Sequence, residues 1–311
     1  KLNMLANFFG KSNPANFIII FLIFLGFFLA KSISLYPIST INFSLIVHQL
    51  SNLVLFLLMF FCYNFILAKN KLTLYNSYGF LLFVLFFGFY PETLLDRNAI
   101  IFNLLVIVFL RKIFSLSSPN ILYKKMIDSG FWLGILFLVE PTSVVFGILI
   151  FLAIGLFQKL TLRTFLIPVI GFLVPVFIYF TYYFWFDNIE EFTKLFLYDT
   201  DHNFKIVTTN PILFSSVLLG SLTIISILVK TSKVILIRGV YRKYWILIIF
   251  NFVIAISLFI IHRNQKGFEM ILLFFPTSII IANWVETIKK PFFKNLLLAL
   301  LILTPVILFI V

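Results

Sequence analysis

The stretch Leu53-Val54-Leu55-Phe56-Leu57-Leu58-Met59-Phe60-Phe61-Cys62-Tyr63-Asn64-Phe65-Ile66-Leu67-Ala68 holds no charged residue, and neither do Phe17–Ala30 and Asn295–Val311. Runs approaching the roughly 20 apolar residues that cross a bilayer's hydrocarbon core point to transmembrane helices. A lipid-exposed backbone must satisfy its own N–H and C=O groups, which a helix does internally. The rest of the chain agrees. Of its 311 residues 62% are hydrophobic, 19% aromatic and only 11% charged, with 44 Phe and a mean hydropathy of +1.13. Soluble domains carry about 25% charged residues, so this chain has too few to coat a water-facing surface. A soluble enzyme, a disordered chain and a disulfide scaffold are excluded. The single Cys62 permits neither an intramolecular disulfide nor a thiolate metal cluster.

The expected fold is an all-α polytopic transmembrane bundle forming one integral membrane domain over residues 1–311. Eleven helical segments are read at 17–30, 44–68, 77–90, 97–110, 127–139, 142–157, 165–186, 211–229, 244–261, 268–285 and 295–311. The pairs 77–90/97–110 and 127–139/142–157 are short for full crossings, so nine or seven crossings are the fallbacks. Losing either pair leaves the topology of the rest unchanged.

Charge sets the orientation. With loops assigned alternately to two faces from an inner N-terminus, one face holds eighteen of the 24 bases and two acids, Asp128 and Glu286, a net of +16. The other holds six bases and nine acids, a net of −3. Short basic loops resist translocation, so the N-terminus is inside and the C-terminus outside. The +13 total is spread over six inner segments beside spans, which suits headgroup anchoring rather than nucleic acid. Phe28-Leu29-Ala30 lacks a small-x-small cleavage pattern, so the first span reads as retained. Residues 1–16 form an interfacial N-terminal segment, with a short helix over Leu5–Lys11 ended by Gly10 and Pro14. The outer loop 187–210 is acidic, and its Asn188–Tyr198 part is amphipathic. The inner loop 230–243 is basic.

Four outer-side constellations carry ionisable or polar groups near bilayer depth, where each charge costs about 2.5–3.5 kcal/mol on insertion scales. Tyr90–Asn98 places Glu92 and Asp96 four residues apart, beside Arg97; its plainer role is a loop in which Asp96 starts the next helix. Glu140-Pro141-Thr142 breaks a long apolar stretch, because Pro141 biases Glu140 away from helix and starts a new one. His262, Arg263 and Lys266 precede Glu269 and a span containing Pro276, a basic turn suited to a phosphate. His48-Gln49-Leu50-Ser51-Asn52 puts His48 and Asn52 four apart, a spacing more often used for interhelical hydrogen bonds. The sequence holds no phosphate loop, no GxGxxG, no HExxH, no paired His/Cys metal spacing and no GxSxG. No cofactor or metal site is assignable.

The order of these features resembles the GT-C superfamily of membrane glycosyltransferases, which take sugars from polyprenyl-phosphate donors at the outer face. Tyr90–Phe157 is similar to that superfamily's middle portion: an acidic turn, a span, the basic Lys124-Lys125, then Gly130-Phe131-Trp132-Leu133-Gly134 leading to Glu140. Arg263–Pro276 is similar to its late basic turn and proline-bearing span. The resemblance implies a polyprenyl-phosphate lipid donor, Glu140, Glu92 or Asp96 as catalytic base, and Arg97, Arg263 and Lys266, with His262 and Glu269, as substrate-binding residues. The superfamily usually has an acid in the first outer loop; Lys31–Asn42 has none. Through Asn7-Phe8-Phe9-Gly10-Lys11-Ser12 the chain also resembles a bacterial family of uncharacterised multi-pass inner-membrane proteins. Three roles stay open: a GT-C-like enzyme, a non-catalytic subunit of a cell-envelope complex with protein partners, and a transporter of a lipid or lipid-linked substrate. Membrane lipids are expected partners under each, and the location expected is a bacterial inner membrane.

Overall fold

The computed structural model describes residues 5–36, 42–196, 210–234, 236, 239–261 and 270–310. Its helices are α1 (Leu5–Phe9), α2 (Pro14–Leu35), α3 (Phe43–Asn70), α4 (Tyr78–Phe89), α5 (Arg97–Ser115), α6 (Leu122–Val139), α7 (Gly147–Phe157) and α8 (Leu162–Trp185). They continue with α9 (Ile189–Thr193), α10 (Asn210–Val234), α11 (Val240–Ile261), α12 (Met270–Thr287) and α13 (Pro291–Ile310), while 3-10 turns cover Pro91–Leu94, Pro141–Phe146 and Lys194–Phe196. Each of the eleven segments read from the sequence coincides with a helix among the described residues; 268, 269 and 311 lie outside them. Among the described residues eight helices are long and apolar enough to cross a membrane: α2, α3, α5, α8, α10, α11, α12 and α13. The protein is an all-α polytopic membrane protein.

Several helices outrun the reading, α2 to Leu35, α5 to Ser115 and α6 from Leu122 among them. α10 runs on to Val234, so Lys230 and Lys233 belong to a helix rather than to the inner loop. Their long stems let a helix continue while the ammonium reaches the interface. α13 begins at Pro291, where the missing N–H of proline costs nothing.

Backbone contacts divide the chain into two compact units. The first contains Lys1–Asn103, Lys205–Arg242 and Asn264–Val311. Its centre is α4, whose sequence YGFLLFVLFFGF has no polar face; such a helix must be enclosed, and every one of its residues is buried. Phenylalanine does the enclosing. Phe24 of α2 meets Phe56 and Phe60 of α3 at 4.8 Å, Tyr63 stacks on Phe83 at 4.0 Å, and Phe274 of α12 meets Phe87 at 4.9 Å. Much of the aromatic excess is therefore packing material.

Twelve residues of α-helix rise only ~18 Å, yet α4 and its flanks reach as far as the longer α2. At the basic end the Ser77 N–H donates to Phe9 O at 2.9 Å and its hydroxyl to Lys11 O at 3.1 Å. At the other end Glu92, in the 3-10 turn after α4, pairs with Lys31 near the end of α2 at 2.7 Å. The 3-10 turn adds ~8 Å at about 2 Å per residue, which matches the ~25 Å that α2 rises from Pro14 to Lys31. α4 with its 3-10 extension is thus a traverse made inside protein.

Buried polar groups fix its register. Tyr63, fully buried on α3, donates to Gly79 O at 3.0 Å and shares a 2.7 Å bond with Ser278 Oγ of α12. Tyr63→Phe keeps the ring packing and removes both bonds, so thermal unfolding in detergent is expected to show a loss of about 1 kcal/mol. A loss above that of Tyr63→Ala would contradict this account.

The basic end is tied together by side chains reaching backbone. Glu286 Oε1 accepts from the Leu74 N–H at 2.8 Å and from Asn76 Nδ2 at 2.7 Å. Asn283 Nδ2 donates to Leu72 O at 2.9 Å while its Oδ1 accepts from the Tyr241 hydroxyl at 2.5 Å. α1 joins this end through Tyr78, whose hydroxyl donates to Ala6 O at 2.5 Å, and through Asn295, whose Oδ1 accepts the Ala6 N–H at 2.7 Å.

The second unit contains Leu104–Phe204 and Lys243–Arg263. Its axis is the pair α6 and α8, which pack backbone to backbone. Gly130, Gly134 and Gly171 make this possible: a Cβ at Gly130 would stand 1.9 Å from Pro168 O, one at Gly134 2.5 Å from Phe172 O, and one at Gly171 2.3 Å from Ile127 O. Gly130 and Gly134 are a small-xxx-small pair, the spacing that lets membrane helices approach closely. Lys112 pairs with Asp128 at 2.8 Å. The two acids that the charge count assigned to the basic face are thus both held, Asp128 by an ion pair and Glu286 by amide donors.

Candidate functional site at the outer turn of the first unit

Tyr90–Asn98 is shaped by its own sequence. Pro91 starts the 3-10 turn, and Thr93, wholly buried, donates its hydroxyl to Tyr90 O at 2.7 Å. The Tyr90 hydroxyl shares a 3.1 Å bond with Ser216 Oγ of α10, and its ring stacks against Phe274 at 5.7 Å. Asp96 then caps α5: its Oδ1 accepts from the Asn98 N–H at 3.0 Å and the Ala99 N–H at 3.2 Å. Such a cap stabilises a helix by roughly 1 kcal/mol.

Glu92 and Asp96 do not converge. Glu92 points to Lys31, with its side chain 62% exposed, and Asp96 folds back on α5. Arg97, exposed, instead reaches α3, donating from Nη1 to Ser51 Oγ at 3.2 Å. That bond joins two constellations that lie far apart in the chain, the turn 90–98 and the polar run 48–52.

Below Arg97 lies a set of amides. Asn52 is 0% exposed, and neither its Oδ1 nor its Nδ2 has a partner among the described residues. Gln49, one turn earlier, has a buried and unpartnered Oε1. On α5, Asn103 is wholly buried; its Nδ2 donates to Met59 Sδ at 3.4 Å, a weak acceptor, and its Oδ1 is unpartnered. Asn52 and Met59 lie on one buried stripe of α3 with Phe56 and Tyr63 between and beyond. The Arg97–Ser51 and Asn103–Met59 contacts therefore run α3 and α5 side by side over this stretch.

An unmet buried amide costs about 1–3 kcal/mol, and native folds seldom leave several together. His48 and Asn52, read as sharing a face, differ in burial. His48 is exposed, and Gln49 is the residue one turn from Asn52 on the inward side. Gln49 and Ser51 stood in the polar run 48–52 read from the sequence, whereas Lys31 and Asn103 were not singled out by it.

Glu140 belongs to the second unit. As expected it breaks the helix, capping α6 with its N–H on Leu136 O at 2.8 Å and preceding the 3-10 turn Pro141–Phe146. Its Oε1 accepts from the Thr142 hydroxyl at 3.2 Å. His262, Arg263, Lys266 and Glu269 lie outside the described residues. Among the described residues no three of His, Cys, Asp and Glu gather as a metal site.

The turn thus carries an exposed guanidinium, Arg97, resting on Ser51 next to the buried amides of Gln49 and Asn52, while the Lys31 ammonium is already paired with Glu92. Such a set can bind a phosphate and hydroxyl groups together. No curated protein and no solved structure matches the chain. Residues 10–311 match a sequence family described as a family of unknown function, DUF6427, and the chain belongs to that family.

Proposed function

We propose that this membrane protein binds the phosphate-bearing head of a polyprenyl-linked lipid at the outer face of a bacterial inner membrane, the step that a GT-C-like transferase and a lipid-linked-substrate transporter share. The observation that carries this reading is Asn52, wholly buried with both polar atoms unpartnered, beside Arg97 and Ser51. Arg97 supplies a forked donor for a phosphate. The amides of Asn52, Gln49 and Asn103 would take up hydroxyl groups.

In the transferase form of the reading, a carboxylate removes the acceptor's proton, an effect worth about 10²–10⁴ in rate. Glu92 is the best-placed base, because its side chain is open to the outer face. Asp96 is committed to starting α5, and Glu140 stands in the second unit. A specific observation also favours the non-catalytic role in an envelope complex: each carboxylate of the outer turn already has a structural task, Glu92 with Lys31 and Asp96 with backbone.

The test is titration of a short-chain polyprenyl phosphate into the protein in phosphatidylcholine nanodiscs. Arg97→Ala removes one charge-assisted contact, so binding is expected to weaken about 10- to 100-fold, as 1.5–3 kcal/mol implies. Saturable binding that Arg97→Ala leaves unchanged overturns the reading, as does no binding by the wild type. If binding holds and Glu92→Gln retains full sugar transfer, Glu92 is not the base.

A further inference from the structure

Within the first unit, α10 packs on α12 while α13 packs on α4 and α1. The gap left between α10 and α13 is a groove of about 780 Å³. Its walls are aliphatic, with Leu218 and Leu222 on one side and Leu297 and Leu301 on the other. From Lys290 to Thr304 along α13 the groove runs ~21 Å at 1.5 Å per residue, longer than the ~15 Å half-thickness of a bilayer's hydrocarbon core.

One end of the groove differs from the rest. Trp284, Lys289 and Lys290 line it there. Both lysines follow the last turn of α12, on the face that the charge asymmetry assigns to the cytosol. Neither is in an ion pair among the described residues, and Lys290 rests its ammonium 5.9 Å from the Phe293 ring. The nearest acid in sequence, Glu286, is turned to Leu74 and Asn76 instead. Tryptophan is the residue that settles at the headgroup level, so the groove has an interfacial end and an acyl-length apolar body.

We propose that this groove is a site for an anionic phospholipid of the inner leaflet, one acyl chain lying between α10 and α13 and the phosphate held by Lys289 and Lys290. Charge fixes the choice of occupant. A wholly apolar helix of a partner protein fits the aliphatic walls but gives two adjacent ammonium groups nothing, and a zwitterionic lipid brings them its own opposing ammonium. The site is separate from the outer turn and does not depend on the reading given for it.

The full chain is delipidated in detergent and offered phosphatidylglycerol or phosphatidylcholine, with bound lipid counted by native mass spectrometry and thermal stability followed in parallel. Expected is at least tenfold preference for phosphatidylglycerol, removed in the Lys289→Gln/Lys290→Gln double variant and reduced by high salt. Both lysines are exposed, and the variant's unliganded melting temperature serves as the control for folding. Leu297→Trp, which fills the groove, is expected to lower binding of both lipids. Equal retention of the two lipids by the wild type overturns the proposal. So does a double variant that still prefers phosphatidylglycerol, or a co-purifying polypeptide that Leu297→Trp displaces.

Discussion

Gly130→Leu is expected to cost about 3 kcal/mol or more and to melt the second unit well before the wild type. Overpacking a protein interior costs about 1–3 kcal/mol where side chains can yield. Here nothing can. The added carbon would stand 1.9 Å from the Pro168 carbonyl oxygen and 2.8 Å from its carbon, so two helix backbones must part along their length. The parting also costs Gly134 and Gly171 their close approaches to Phe172 and Ile127. Gly26→Ala is the control, since a Cβ there meets nothing within 4 Å; it is expected to be neutral or mildly stabilising, as alanine favours helix over glycine. Denaturation in detergent, followed by near-UV signals or proteolysis of α6 and α8, reads the difference. A Gly130→Leu chain as stable as the wild type would mean that α6 and α8 do not meet through these glycines.

Asn52→Leu is expected to move stability and binding in opposite directions. The side chain is wholly buried with both polar atoms unmet. Replacing it with an apolar group of similar volume removes a desolvation cost of about 1–3 kcal/mol, so the unliganded protein should melt higher. If the amide serves a lipid headgroup, the same change lowers affinity for polyprenyl phosphate at least tenfold, because hydroxyls entering the site lose their partner. A stabilised variant with unchanged affinity would reduce Asn52 to a tolerated defect. A destabilised variant would show that it holds the fold. Paired with Arg97→Ala, the measurement separates the mouth of the site from its floor.

Much of the architecture was legible because apolar runs and loop charges are local signals. α2, α3, α8 and α13 announce themselves by length and by the bases at their inner ends. α4 was harder, since the usual length criterion assumes a helix surrounded by lipid. A twelve-residue helix sheathed by α2, α3, α12 and α13 escapes that criterion, and the absence of any polar face in Tyr78–Phe89 was the sign of enclosure. Gly130-Phe131-Trp132-Leu133-Gly134 was read only for its likeness to glycosyltransferases, although its spacing also spells close helix packing.

The outer site was legible only in part. Asp96 as a cap follows from its place before Arg97-Asn98-Ala99, and the break at Glu140 follows from Pro141. The bonds from Lys31 to Glu92 and from Arg97 to Ser51 join residues remote in the chain, and no periodicity reports them. Nor does spacing alone say which of His48, Gln49 and Asn52 turns inward, because the face a helix hides is chosen by its neighbours.

The enclosed α4 imposes an order of assembly on the nascent chain. Leaving the ribosome, Tyr78–Phe89 can rest against α2 and α3, but α12 and α13, which cover its remaining flanks, are made some two hundred residues later. Until then a helix too short for lipid must wait with one side bare. Chains stopped before Met270 are accordingly the ones that membrane quality control should clear fastest, and a separately expressed α12–α13 fragment should rescue them.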